Sequence, residues 1–202
     1  MIITPPAVLS YPALLTPRMP PNPKPGDSAA YGCTLLFPVG TDISELKKAA
    51  TAALYEKFGD KTDALFAAGA LRTPFRKVDG KYDSAKYSFF INVSSKQTKP
   101  GIVDRYAGPD GRPAPLTDVD KLYPGCFVRA ALSVYAYDTS GNKGVSFGLQ
   151  HIQWWADGER LDSRKAPQDA FTAEERPAAD MSSMAGTAAK PAGGNLADLL
   201  GG

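Results

Sequence analysis

Histidine occurs once and cysteine twice in the 202 residues of the chain. A structural zinc site would lack its usual ligands unless carboxylates joined in. Cys33 and Cys126 sit in separate apolar runs, a usage that fits a reducing cytoplasm better than a disulfide scaffold. No apolar run approaches the ~20 residues of a membrane helix, so no spanning segment and no membrane partner is expected. The stretch MIITPPAVLSYPALL carries no basic residue and is broken by prolines, so it does not read as a secretory leader. A phosphate-cradling glycine loop is missing, which argues against a nucleotide-driven motor. No internal repeat is present, and neither a cofactor nor a metal is expected.

Charge is plentiful and unevenly placed. The 23 basic and 21 acidic side chains give a net charge of +2. Residues 1–156 nevertheless hold 18 basic against 13 acidic, and residues 157–202 hold 5 against 8. A basic body suggests a polyanion partner. From Pro177 to Gly202 the chain has 7 Ala, 5 Gly and no aromatic residue, too little apolar surface to offset the entropy of ordering. The expectation is a globular domain over residues 1–165 and a flexible C-terminal tail over residues 166–202. Within that tail Leu196, Asp198, Leu199 and Leu200 form a short apolar hook, a candidate partner-binding motif.

One helix is well signalled. Thr41 or Asp42 can cap, Glu45 completes a capping box with Asp42, Gly59 stops the helix after Phe58, and Ile43, Leu46, Ala50, Ala53, Leu54 and Phe58 share one side. Six prolines between Pro12 and Pro25 mark an extended arm or loop between strands near Val8–Leu15 and Tyr31–Phe37. Ala85–Ser95 reads as another strand. The segment from Cys126 to Trp155 reads as a long hairpin turning at Ser140-Gly141-Asn142-Lys143-Gly144. Strands dominate, which favours a small barrel or a sandwich.

Side chains alternate across a strand, so parity sorts the hairpin. Cys126, Val128, Ala130, Leu132, Val134 and Ala136 make an all-apolar face, which must be core. The opposite face, Phe127, Arg129, Ala131, Ser133, Tyr135 and Tyr137, must then point outward. Tyr87, Phe89, Ile91 and Val93 face inward on the earlier strand, leaving Lys86, Ser88, Phe90, Asn92, Ser94 and Lys96 outside. Exposed aromatics beside cations are what a single nucleic-acid strand needs, rings for its bases and positive charge for its phosphates. Arg72 to Arg105 carries 8 basic residues against 3 acidic. The candidate binding residues are Arg76, Lys77, Lys86, Phe90, Lys96, Lys99, Arg105, Arg129, Tyr135, Tyr137 and, in the turn, Lys143. Parity fails at His151–Trp155, where both faces carry bulk, so Trp154 and Trp155 stay unassigned.

Two catalytic readings compete. Cys126, His151 and Asp138 have the makings of a thiol triad, but parity buries Cys126 as a core hydrophobe. Asp104, Asp110, Asp118 and Asp120 would serve a metal-dependent nuclease or resolvase. They lie among Gly108, Pro109, Gly111, Pro113 and Pro115, where aspartate commonly forms turns. An RNA-binding module is a third reading, since such a surface does not by itself choose between sugars.

The hairpin also carries a family signature. Tyr123-Pro124-Gly125-Cys126-Phe127-Val128-Arg129-Ala130, Val134-Tyr135-Ala136-Tyr137-Asp138 and Gly141 to Phe147 resemble a bacteriophage family of single-stranded DNA-binding proteins. Lys99-Pro100-Gly101-Ile102-Val103-Asp104 and Asp157-Gly158-Glu159 are similar to it as well, and the resemblance spans about residues 8–165. It implies a mainly β chain folded as an OB-like β-barrel with one long inserted helix. It also implies a non-catalytic role coating single-stranded DNA in phage replication, recombination or repair; whether duplex DNA also binds, more weakly, the sequence leaves open. The groove it implies includes Phe90, Lys96, Arg129, Tyr135 and Tyr137, and the tail would recruit replication proteins in the host cytoplasm. The tail departs from the family, being only mildly acidic and ending in Leu199-Leu200-Gly201-Gly202.

Overall fold

Alternating and β-branched runs become strands nearly everywhere outside residues 44–67. The computed structural model describes residues 1–78, 80, 82–139 and 141–161. The tail with its hook, and positions Lys81 and Ser140, lie outside them. In chain order the elements are β1 (Ile2–Ile3), β2 (Ala7–Arg18), β3 (Ala30–Pro38), α1 (Ser44–Phe58), α2 (Lys61–Ala67), β4 (Leu71–Arg72), β5 (Arg76–Lys77) and β6 (Tyr87–Ser95). There follow β7 (Gly101–Ala107), β8 (Pro113–Pro115), a single 3₁₀ turn at Val119–Lys121, β9 (Phe127–Thr139) and β10 (Asn142–Ala156). The chain is mainly β. Among the described residues no helix is long and apolar enough to cross a membrane.

The strands form one ten-stranded sheet in the order β1-β9-β2-β3-β6-β10-β7-β8, with β4 on β10 and β5 on β6. β9 also pairs with β10, so the ladders run as a circuit through β9, β2, β3, β6 and β10. Inside it Phe37 stacks on Phe89 at 4.8 Å, and Phe75 meets Phe89 and Phe147 edge-on. The inward face follows parity, since Cys126, just before β9, and Val128, Ala130 and Leu132 on it are fully buried. Ala131, expected outward, is buried as well, opposite Ile3 of β1 and His151 of β10.

Helix α1 covers this core with Leu46, Ala50 and Leu54, each leucine contributing roughly 1.5–3 kcal/mol by burial. Its start differs from the sequence expectation. The helix begins at Ser44 with Ile43 at the cap, and Asp42 accepts from the Ser44 amide at 2.8 Å. That bond holds the Asp42 carboxyl below its ordinary pKa. Glu45 accepts from Lys48 at 2.8 Å instead of reaching back to the cap, and the Asp42 carboxylate is engaged in a local turn with Ser44. Helix α2 was not legible in the sequence; Thr62, its buried residue, donates to carbonyls of Gly59 and Leu54 and ties it to the end of α1.

The Tyr123-Pro124-Gly125 and Asp157-Gly158-Glu159 segments lock together. The Tyr123 hydroxyl accepts from the Gly158 amide at 3.0 Å and lies 3.1 Å from the Gly158 carbonyl and 3.2 Å from Asp157 Oδ1. Gly125 adopts φ +117°, and a Cβ there would run into the Glu159 carbonyl, as one on Gly158 would run into the Gly125 carbonyl. The two backbones therefore approach as only glycine permits.

Candidate nucleic-acid interface

The outer face of β9 is built by the pairing rule that makes its inner face dry. Tyr135 stands opposite Ser146 and is 50% exposed. Its Cε1 lies 3.6 Å from where a Cβ on Gly148 would sit, and Tyr137 Oη lies 2.9 Å from the corresponding point on Gly144. The Tyr135 ring thus packs against Gly148 and the Tyr137 hydroxyl against Gly144, Tyr135 exposed and Tyr137 half-buried on this face. Further along, Gln150 donates to Ser133 Oγ at 3.2 Å, giving a polar middle stretch.

Cations flank this face. β4 runs beside β10 at Lys143 and Gly144, which brings Arg72 next to Tyr137. Arg76 and Lys77 are exposed on β5, opposite Phe90 and Phe89 of β6. Arg72, Phe75, Arg76, Lys77 and Phe90 line a concavity of about 560 Å³. Lys96 and Lys99 are exposed in the loop between Ser94, which pairs with Gly148, and Gly101, which pairs with His151. That loop passes the middle stretch of β10.

Three expected contributors are partly committed elsewhere. Lys86 donates to Glu159 at 2.7 Å, which raises its pKa. It lines a separate concavity of about 600 Å³ with Arg18 and Tyr87. Lys143 is 2.6 Å from Asp138. Phe90 lies outside the main core, as parity requires, yet it is half-buried: it sits opposite buried Leu36 and edge-on to Tyr82 at 5.7 Å.

Arg105 and Arg129 meet through a residue that parity left open. β10 carries extra residues at Gln150 and Trp155, where its register against β9 shifts. The first bulge exchanges the faces, so Val145, Phe147 and Leu149 are buried before it and Ile152 and Trp154 after it. Trp154 is core, and Trp155 is half-buried on the outer side, with Arg105 at 4.5 Å and Arg129 at 5.2 Å from its ring. Tyr106, an aromatic beside the basic run in the sequence, is placed next to Arg105 by β7, a strand for which the Ile-Val-Asp-Arg-Tyr alternation is the sequence signal.

Three of the four candidate aspartates are occupied locally. Asp104 accepts from the Tyr106 amide, Asp110 from Arg112 and Asp118 from Asp120, each two residues on. Among the described residues no three His, Cys, Asp or Glu side chains converge to hold a metal. Cys126 is fully buried and its thiol is pushed up to about 12 by burial. Asp138 lies near the far end of β9, whose first residue follows Cys126, roughly 40 Å along the chain at the usual rise, so no triad assembles.

Residues 1–182 match the family described as Enterobacter phage Enc34, ssDNA-binding protein. The chain is 32% identical over 140 residues to a protein designated p50 from Acyrthosiphon pisum secondary endosymbiont phage 1, covering 64% of this chain and 70% of that one. In fold it is similar to the single-stranded DNA-binding protein from bacteriophage Enc34, with a TM-score of 0.55, 19% identity, and 85% of this chain and 89% of that chain covered. The same phage protein in complex with ssDNA gives a TM-score of 0.50 at 19% identity over 79% of this chain and 88% of that one. The chain belongs to the Enc34 family of phage single-stranded DNA-binding proteins.

Proposed function

We propose that this protein coats single-stranded DNA with little sequence preference during phage replication, recombination or repair, without a catalytic step. Bases stack on Tyr135 and Tyr137, and phosphates are neutralised by Arg76, Lys77, Lys96, Lys99, Arg105 and Arg129. Lys86, Phe90 and Lys143 serve at the margin, given their existing partners. The observation that carries this reading is the pair of tyrosines on the outer face of β9, Tyr135 against Gly148 and the Tyr137 hydroxyl against Gly144, with the exposed cations Arg76 and Lys77 on the neighbouring β5. The five-strand circuit supports an OB-type barrel beneath that face, the architecture on which single strands commonly run. Recruitment of replication proteins through Leu196, Asp198, Leu199 and Leu200 is part of the proposal and rests on the composition of the tail.

The test is fluorescence anisotropy with labelled oligothymidylate, a matched duplex and a matched RNA, at several salt concentrations with and without magnesium. The reading predicts tight binding to the DNA single strand, weaker binding to duplex, and an affinity that falls steeply with salt. Equal binding to RNA would indicate a surface blind to the 2′-hydroxyl. Magnesium-dependent shortening of the label would favour a nuclease, and a flat salt titration would contradict phosphate neutralisation.

A further inference from the structure

Arg129, Trp155, Arg105 and Tyr106 alternate cation and ring across three strands. The Arg129 guanidinium lies 5.2 Å from the Trp155 ring centroid, that of Arg105 lies 4.5 Å from it, and Arg105 also lies 5.4 Å from the Tyr106 ring. The two positive charges are thus within about 10 Å of one another. Among the described residues neither has a carboxylate within 4.0 Å, although four ion pairs form elsewhere. Like charges gathered without an acid between them make a site for an anion.

The arrangement is fixed in advance. Arg129 Nε donates to the Thr4 carbonyl and Arg105 donates to the Trp155 carbonyl, both at 3.1 Å. Each guanidinium so spends one of its five N–H donors. Trp155 occupies a bulge, a device that re-aims a side chain out of the strand alternation. Its indole supplies the attraction that holds both cations at one place. Arg105 is exposed, and Tyr106 is 63% exposed beside it.

We propose that Trp155 is a positioning residue that sets Arg105 and Arg129 as a clamp for neighbouring phosphates of single-stranded DNA, with Tyr106 as the stacking surface beside them. This rests on the single-stranded DNA reading and adds a second grip to it. Arg129 and Tyr135 are six residues apart on β9, about 20 Å. The footprint is therefore bipartite, with a stacking end at Tyr135 and Tyr137, a polar middle at Ser133 and Gln150, and a phosphate-gripping end at Trp155.

The test measures affinity for oligothymidylates of about 5 to 30 nucleotides, bracketing the usual footprint of such folds, with the full chain and four variants. Wild-type affinity rises steeply once the oligomer bridges both ends. In Arg105→Ala that rise is lost, long oligomers bind about tenfold more weakly, and the salt slope falls by about 1. Tyr106→Ala lowers affinity for long oligomers with little change in salt slope. Trp155→Leu, which keeps both arginines, lowers the slope as Arg105→Ala does, and Trp155→Phe restores it. A Trp155→Leu protein with wild-type length dependence and slope would overturn the proposal. So would a loss that Trp155→Phe fails to rescue, which would assign Trp155 to packing. Wild-type protein that binds no oligomer would overturn the single-stranded DNA reading itself and this inference with it.

Discussion

Tyr135 and Gly148 are diagonal neighbours across the β9–β10 ladder: the ring of one is in van der Waals contact with the point where the side chain of the other would begin. A Cβ on Gly148 would sit 3.6 Å from Tyr135 Cε1 and 2.5 Å from Ser133 Oγ. The glycine keeps the floor of the aromatic platform open, and the tyrosine covers backbone that would otherwise face water. Gly148→Val therefore displaces Ser133 and tilts Tyr135. Affinity for single-stranded DNA is expected to fall about tenfold, within the ~1–3 kcal/mol that stacking on one aromatic provides. Folding should survive, because β-branched residues suit strands. Anisotropy titration alongside a melting curve checks both.

The Tyr123–Gly158 lock predicts a separation between stability and binding. Tyr123→Phe leaves the Gly158 amide without its acceptor, at a cost of about 1–3 kcal/mol. Gly158→Ala forces the backbones of Gly125 and Gly158 apart and should cost more than about 2 kcal/mol. Both variants should melt several degrees lower, while residual folded protein binds DNA with near wild-type affinity. Denaturant melts and titrations below the transition separate the two effects.

Burial predicts how the thiols respond to pH. Cys33 and Cys126 are raised to about 12, chiefly by desolvation, whereas an unfolded thiol ionises near 8.5. The folded chain therefore holds two protons that the unfolded chain releases above pH ~8.5. Their contribution to stability is complete below that pH and declines as pH rises toward 12, by about 1.4 kcal/mol per unit for each cysteine. Neither thiol should react with a thiol reagent at pH 8 until denaturant is added, when both should. Rapid reaction of the native protein would contradict the assigned burial.

Parity carried the sequence reading where strands are regular and failed where they are not. On β9 and β6 each apolar residue assigned inward is at least half-buried. On β10 the extra residue at Gln150 exchanges the faces, and a bulge has no composition signal strong enough to announce it. Trp154 and Trp155 were undecidable for that reason, and the Arg105–Trp155–Arg129 cluster was invisible although both arginines were candidates. Strands β4 and β5, two residues each, are too short for any periodicity. Helix α2 buries only Thr62, so it lacks the apolar stripe that marks a helix in sequence. The Asp42 cap failed because a turn to Ser44 competes with a capping box for the same carboxylate.

The central claim is that the outer face of β9 binds single-stranded DNA by stacking. Its most direct test is Tyr135→Ala combined with Tyr137→Ala, titrated against labelled oligothymidylate and melted under the same conditions. With ~1–3 kcal/mol lost per stacked base, affinity should fall at least thirtyfold, while the half-exposed position of Tyr135 limits the change in melting midpoint to a few degrees. A folded double variant that binds as tightly as wild type would contradict the account and move the DNA path to another face.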